Sequence, residues 1–188
     1  MNRFLRSVLA ASMLLAGSLG GAAAGTVDAA SAGLGFTLTL PERWEVLTQN
    51  FDPASGLISE VTDRQHVAYM IVVATAADPG FASPEQWVKK GEMPIALQFF
   101  ATNGQQLQGQ NYQILGQSSP TPVKVGSGAD AKVIRLRLSI LGEQRDAAII
   151  YGASSDGGTW YYVLLGNPEK AADLEEAIAL AAQGIGIR

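Results

Sequence analysis

The chain contains no cysteine. That excludes disulfides, thiolate metal sites, cysteine nucleophiles and iron–sulfur clusters. It also excludes a lipobox cysteine, and with it a lipid anchor at a processed N-terminus. Histidine occurs once, at His66, so a histidine-based metal site would need carboxylates or carbonyls for all its other ligands. Charge is sparse, at 16% of residues, and acids outnumber bases by 17 to 13. With a pI near 5.0, the composition argues against a nucleic-acid partner, which calls for a basic face. What is present is 188 residues, 47% of them hydrophobic. That is the length of one domain with a core of its own.

Residues 1–24 read as a cleavable signal peptide. Arg3 and Arg6 open the chain without an acid, an apolar run follows from Ser7 to Leu19, and Gly20 to Ala24 are all small. The run is too short to span a bilayer comfortably. The preferred cut falls after Ala24, and Val27–Ala29 offers a second small-residue site. Loss of Arg3 and Arg6 moves the formal charge from −4 to −6, which repels polyanions at long range. The expected location is therefore the bacterial periplasm or the medium, with no membrane anchor after the cut. Residues 25–34 read as a flexible leader, and residues 35–188 as one domain.

Within that domain the hydrophobic period switches between two and about four. Phe36, Leu38 and Leu40 alternate with threonines, Pro41 interrupts, and Trp44 to Thr48 resumes, so residues 36–48 read as a hairpin. Leu57 to Thr62 forms a weaker strand. Val67 to Thr75 is apolar on both faces and belongs in the middle of a sheet. Ser83-Pro84-Glu85-Gln86 is a helix start with a capping box. Trp87, Gly91, Ile95 and Phe99 share one expected face, and Pro94 should kink or split the helix. Residues 103–117 hold six glutamines and end in a short strand, and residues 118–128 form a loop or edge segment. Residues 131–165 form a three-stranded meander, with turns at Gly142 to Gln144 and at Asp156-Gly157-Gly158. Asn167-Pro168 opens a last helix with a buried stripe at Ala171, Leu174, Ile178 and Ala181, and Gly184 stops it. The fold class is α+β: a mainly antiparallel β-sheet flanked by helices.

The segment F-T-L-T-L-P-E-R-W-E-V (Phe36 to Val46) is followed by the Ser-Pro-Glu helix, the aromatic last strand Trp160-Tyr161-Tyr162-Val163-Leu164 and the Asn-Pro helix. This layout resembles the PsbP-like, DcrB-like and Mog-type superfamily over most of residues 35–187. The resemblance implies a compact α/β/α sandwich without enzymatic chemistry, used by accessory and binding subunits. It brings no catalytic motif and no binding residue that maps onto this chain.

The residues themselves supply few chemical candidates. His66 precedes a central strand and reads as a solvated entry residue rather than a general base. Gly152 to Asp156 and Gly116 to Pro120 both miss the G-x-S-x-G pattern of a nucleophile elbow, and Gly126-Ser127-Gly128 lacks the Lys-Ser/Thr of a phosphate loop. Glu42 and Glu45 flank Trp44 as acids flank a sugar platform, but Trp44 fits better as a core plug. Arg135 and Arg137 share a strand face that could grip an anion, or they could pair across strands with Glu143 or Asp146. Trp87, Phe99 and Phe100 make the first helix aromatic. Phe99 and Phe100 are adjacent and cannot point the same way, so one can pack while the other lines a groove. No catalytic residue, cofactor or metal is assigned.

The functional expectation is an exported, non-enzymatic accessory or binding module of the bacterial envelope, a monomer acting through protein–protein contacts with an envelope or secreted protein. The alternative is a small carrier or chaperone that holds a hydrophobic small molecule or lipid between the helix around residues 84–100 and the sheet.

Overall fold

The computed structural model describes residues 25–52, 56–63, 68–101, 112–167 and 171–188. Residues 1–24, read above as a signal peptide, His66, most of the glutamine-rich stretch and Pro168 lie outside these residues. The described chain opens with β1 (Thr26–Asp28) and β2 (Phe36–Thr39), then β3 (Trp44–Asp52), β4 (Gly56–Asp63) and β5 (Ala68–Ala76). A helical run over 84–101, α1, follows in three continuous parts: Pro84–Gln86, a π-helical Trp87–Glu92, and Met93–Ala101. Then come β6 (Tyr112–Gln117), β7 (Thr121–Lys124), β8 (Asp130–Ile140), β9 (Glu143–Ala153) and β10 (Thr159–Asn167). Helix α2 (Ala171–Gly184) and β11 (Ile185–Ile187) end the chain.

Eight strands make one antiparallel sheet in the order β3-β4-β5-β10-β9-β8-β6, with β7 also on β8. The central strands β5 and β10 are apolar on both faces because both faces are covered. Met70, Val72, Ala74, Tyr161, Val163 and Leu165 point to one side, where α2 and a small sheet of β1, β2 and β11 lie. Ile71, Val73, Trp160, Tyr162 and Leu164 point to the other, under α1. The pleat alternates side chains in this way along every strand. The result is the expected α+β fold, a mainly antiparallel sheet with helices on its two faces.

Three local expectations change. Residues 36–48 are not a hairpin: β2 pairs β1 and β11, whereas β3 pairs β4. Pro41 lacks the N–H that would continue a ladder, and there the chain passes from the small sheet to the large one. Residues 25–34 are not a loose leader, because Val27 and Ala29 are fully buried against that small sheet. The turn after β8 is two residues, Leu141 and Gly142, both at positive φ, so Glu143 and Gln144 belong to β9. Gly184 ends α2 as expected, and past it Ile185 and Ile187 are buried partners of Leu38 and Phe36.

Helix α1 departs from its expected form at the proline. Pro94 has no N–H and its ring would strike the carbonyl four residues back in an α-helix. Instead of a kink, the preceding turn widens: the Met93 N–H donates to the Val88 carbonyl, five residues back. One extra residue enters the turn, and the buried face slips by one. The row on the sheet side reads Trp87, Glu92, Ala96 and Phe100, with Gly91 also buried. Ile95 and Phe100 are both half-buried, and of the two Phe100 packs against the core under α1.

The acids of α2 also serve the fold. Arg135 on β8 binds Glu175 through Nε and Nη2, at 2.6 and 2.8 Å. Arg43 bridges Glu176 at 2.6 Å and the buried Asp63 at 3.1 Å. These pairs pin the outer face of α2 to the sheet. The Arg135–Glu175 pair is half in water, so Arg135→Ala should lower stability by only about 0.5–1 kcal/mol, and less in high salt. A salt-independent loss in chemical denaturation would mean that the arginine acts through its stem instead.

Candidate binding groove

Cα partners across a sheet share a face, so the pairings Pro122↔Lys132, Lys132↔Tyr151 and Tyr151↔Tyr162 define one row running inward from β7. Helix α1 covers only the inner end of this row. Trp87 sits on Tyr162 with ring centroids 5.5 Å apart and against Trp160 at 5.9 Å. The outer end stays open. Between it and the first turn of α1 runs a groove of about 380 Å³, lined by Ser83, Pro84 and Glu85 as wall and by Pro122, Lys132 and Tyr151 among its floor residues.

The wall is fixed by its cap. The Ser83 hydroxyl accepts from the Gln86 N–H at 3.3 Å, and Pro84 occupies the first helical position. The Gln86 side chain reaches one residue further back than a capping box would, and accepts from the Ala82 N–H. Glu85 then points across the groove. Its carboxylate takes Lys89 and Lys132, each at 2.9 Å. Hydrogen bonds from Lys132 and then Lys89 hold its pKa down, to about 2. The Tyr151 hydroxyl lies beside this carboxylate, close enough to feel its charge but outside hydrogen-bond geometry. Burial and then Glu85 push that phenol well above its ordinary value. The Lys124–Asp130 pair, at 2.8 Å, adds a second set of charges at the rim.

The residues singled out in the sequence do not converge here. Trp87 is 2% exposed and belongs to the core under α1. Phe100 packs over Gly166 and beside Tyr69, with ring centroids 6.1 Å apart. The Phe99 side chain lies outside what the structure describes. Arg135 is taken by Glu175 and Arg137 by Asp146, at 3.3 Å, so the expected cross-strand pairing holds for Arg137 and gives way to a helix contact for Arg135. Trp44 is a buried core residue, not a platform. Among the described residues, no three acidic or histidine side chains gather closely enough to hold a metal ion, and no helix is long and apolar enough to cross a membrane.

The groove residues were missed because each had a sufficient local reading. Glu85 counted as helix-start composition. Lys132 did carry a signal: it continues the apolar row of Ile134, Leu136 and Leu138 and so had to face the α1 side.

Glu92 is the other unexpected feature. It is 3% exposed, and its Oε2 has no hydrogen-bond partner among the described residues. Burial first, and the Asp78 charge second, raise its pKa to about 8, while the Trp87 indole N–H opposes the shift. On an α-helix Trp87 and Glu92 would lie about 140° apart. The π turn stacks them on the sheet side.

No family model matches the chain, and no curated protein matches it in sequence. Solved structures with a similar fold exist. A protein of Bacteroides thetaiotaomicron aligns over 88% of this chain with a TM-score of 0.51 and 10% identity. The chain spans about half of that protein, 48% of its length. The Ran-binding protein Mog1p of Saccharomyces cerevisiae aligns over 86% of this chain and 94% of its own, at TM-score 0.42 and 8% identity. LpqN, involved in cell envelope biogenesis of Mycobacterium tuberculosis, covers 89% and 86% at TM-score 0.39 and 16% identity. At 10% identity the likeness to the Bacteroides protein is one of fold, and fold does not select a function.

Proposed function

We propose that this chain is an exported, non-enzymatic binding module that works through contact with another envelope or secreted protein, and that the groove beside α1 receives a segment of it. The groove carries the reading: it is open, walled by a capped helical turn, and set with charges that contact one another, Glu85 with both Lys89 and Lys132 and Lys124 with Asp130. The space between α1 and the sheet is filled by Trp87, Val88, Met93 and Leu97 against Trp160, Tyr162 and Leu164, which disfavours the carrier alternative. Export rests on the pattern of residues 1–24. A cut after Ala24 leaves β1 whole, whereas a cut after Ala29 would remove a strand with a buried valine.

Native mass spectrometry of the protein from its own envelope fraction tests all three parts. The expected species starts at Gly25 and is either bare or bound to a second protein, and Lys132→Glu, set beside Glu85 in the groove, should lose that second protein. An extra mass of a few hundred daltons, lost on denaturation, would make the chain a carrier. A species that keeps residues 1–24 would overturn export.

A further inference from the structure

Glu92 is a carboxyl placed in an aromatic core by a backbone irregularity. The π turn that stacks it under Trp87 is held from outside as well. Gly91 lies against Phe81, whose Cζ would be 2.8 Å from any Cβ at that position, so a bare glycine lets the 78–82 segment clamp the turn onto the sheet. The groups facing Glu92 are Asp78 from that segment, Tyr162 from β10 and the Trp87 indole from its own helix. Asp78 is a like charge and Tyr162 a buried phenol. On the same turn Lys89 is engaged with Glu85, and Lys90 is exposed. Thus the neutral form of Glu92 fits this pocket and the ionised form does not. π turns of this kind recur at functional sites.

We propose that the Trp87–Glu92 turn is a proton-operated latch on the groove: seated while Glu92 is protonated, and released when Glu92 ionises. Release carries Ser83, Pro84 and Glu85 away with the turn, since they are continuous with it, and uncovers Tyr151, Tyr162 and Trp160. The groove then changes from a closed-walled slot to an aromatic strip. The latch regulates the site proposed above, but its opening is a property of the chain alone and is measured without any partner.

The sign follows from linkage. A carboxyl whose folded pKa lies above its unfolded value stabilises the seated state at low pH. That contribution is lost as pH rises toward the folded pKa of about 8. One proton is released on opening, so the opening equilibrium should grow about tenfold per pH unit between pH 6 and 8 and level off above that. Hydrogen exchange of peptides covering residues 82–93, corrected for the intrinsic pH dependence of exchange, reads this directly. In the native protein protection should fall by that factor, and in Glu92→Gln it should stay flat. Asp78→Asn leaves Glu92 in place and removes the like charge, so the levelling-off should move to lower pH. It serves as the second variant if Glu92→Gln folds poorly. An unchanged slope in Glu92→Gln, an unmoved levelling-off in Asp78→Asn, or a loss of protection shared equally by β5, β9 and β10, would overturn the latch. Neither result would bear on whether the groove binds a protein.

Discussion

Replacing Trp87 with alanine is expected to cost about 3–5 kcal/mol of stability, seen as a lower urea midpoint at an unchanged m-value. Trp87 is 2% exposed and meets two other large rings, Trp160 and Tyr162. Truncation removes the burial of an indole and two tilted aromatic contacts, each worth about 0.5–1.5 kcal/mol beyond area. The void cannot close easily, because the sheet below is rigid and the π turn above is fixed by Pro94 and Phe81. Phe100→Ala is the internal comparison. Phe100 lies on the same slipped face but is half-buried, so its loss should be clearly smaller. A Trp87→Ala cost below about 1 kcal/mol would mean that α1 is not seated through this residue.

Removing residues 185–188 is the second large effect. Ile185 is fully buried and Ile187 nearly so, and both complete the ladder on β2. Burial of two isoleucines corresponds to about 3–6 kcal/mol, and the lost ladder bonds leave one edge of β2 open. The shortened chain should melt at a markedly lower temperature and associate through that edge, which light scattering would detect. An unchanged melting point would show that β11 does not hold the small sheet.

The sequence disclosed what repeats and hid what depends on a distant partner. The meander of β8, β9 and β10 was legible because each strand alternates and its turns sit at Gly142 and Asp156-Gly157-Gly158. The central position of β5 was legible because both its faces are apolar. The hairpin over residues 36–48 was misread because alternation says nothing about the neighbour. The strands β2 and β3 have the right pattern to pair with each other, yet β2 takes its partners from the two ends of the chain. Ile185-Gly186-Ile187 also alternates, but three residues after a helix stop carry too little pattern to count as a strand. The buried Glu92 could not be read at all by α-helical spacing. Only the consequence of Pro94 for the turn before it, a π turn instead of a kink, brings that residue inward. Glu85, Lys132 and Tyr151 come from a helix and two strands, and no linear motif joins them.

The small sheet also sets the order in which the molecule can be finished. Its middle strand emerges early and its outer strand last, so the pairing of Leu38 with Ile185 must wait for nearly the whole chain. Contacts of such long sequence separation form late and slowly. Until β11 arrives, Phe36 and Leu38 lack their cover, and the layer over that face of the large sheet stays unassembled.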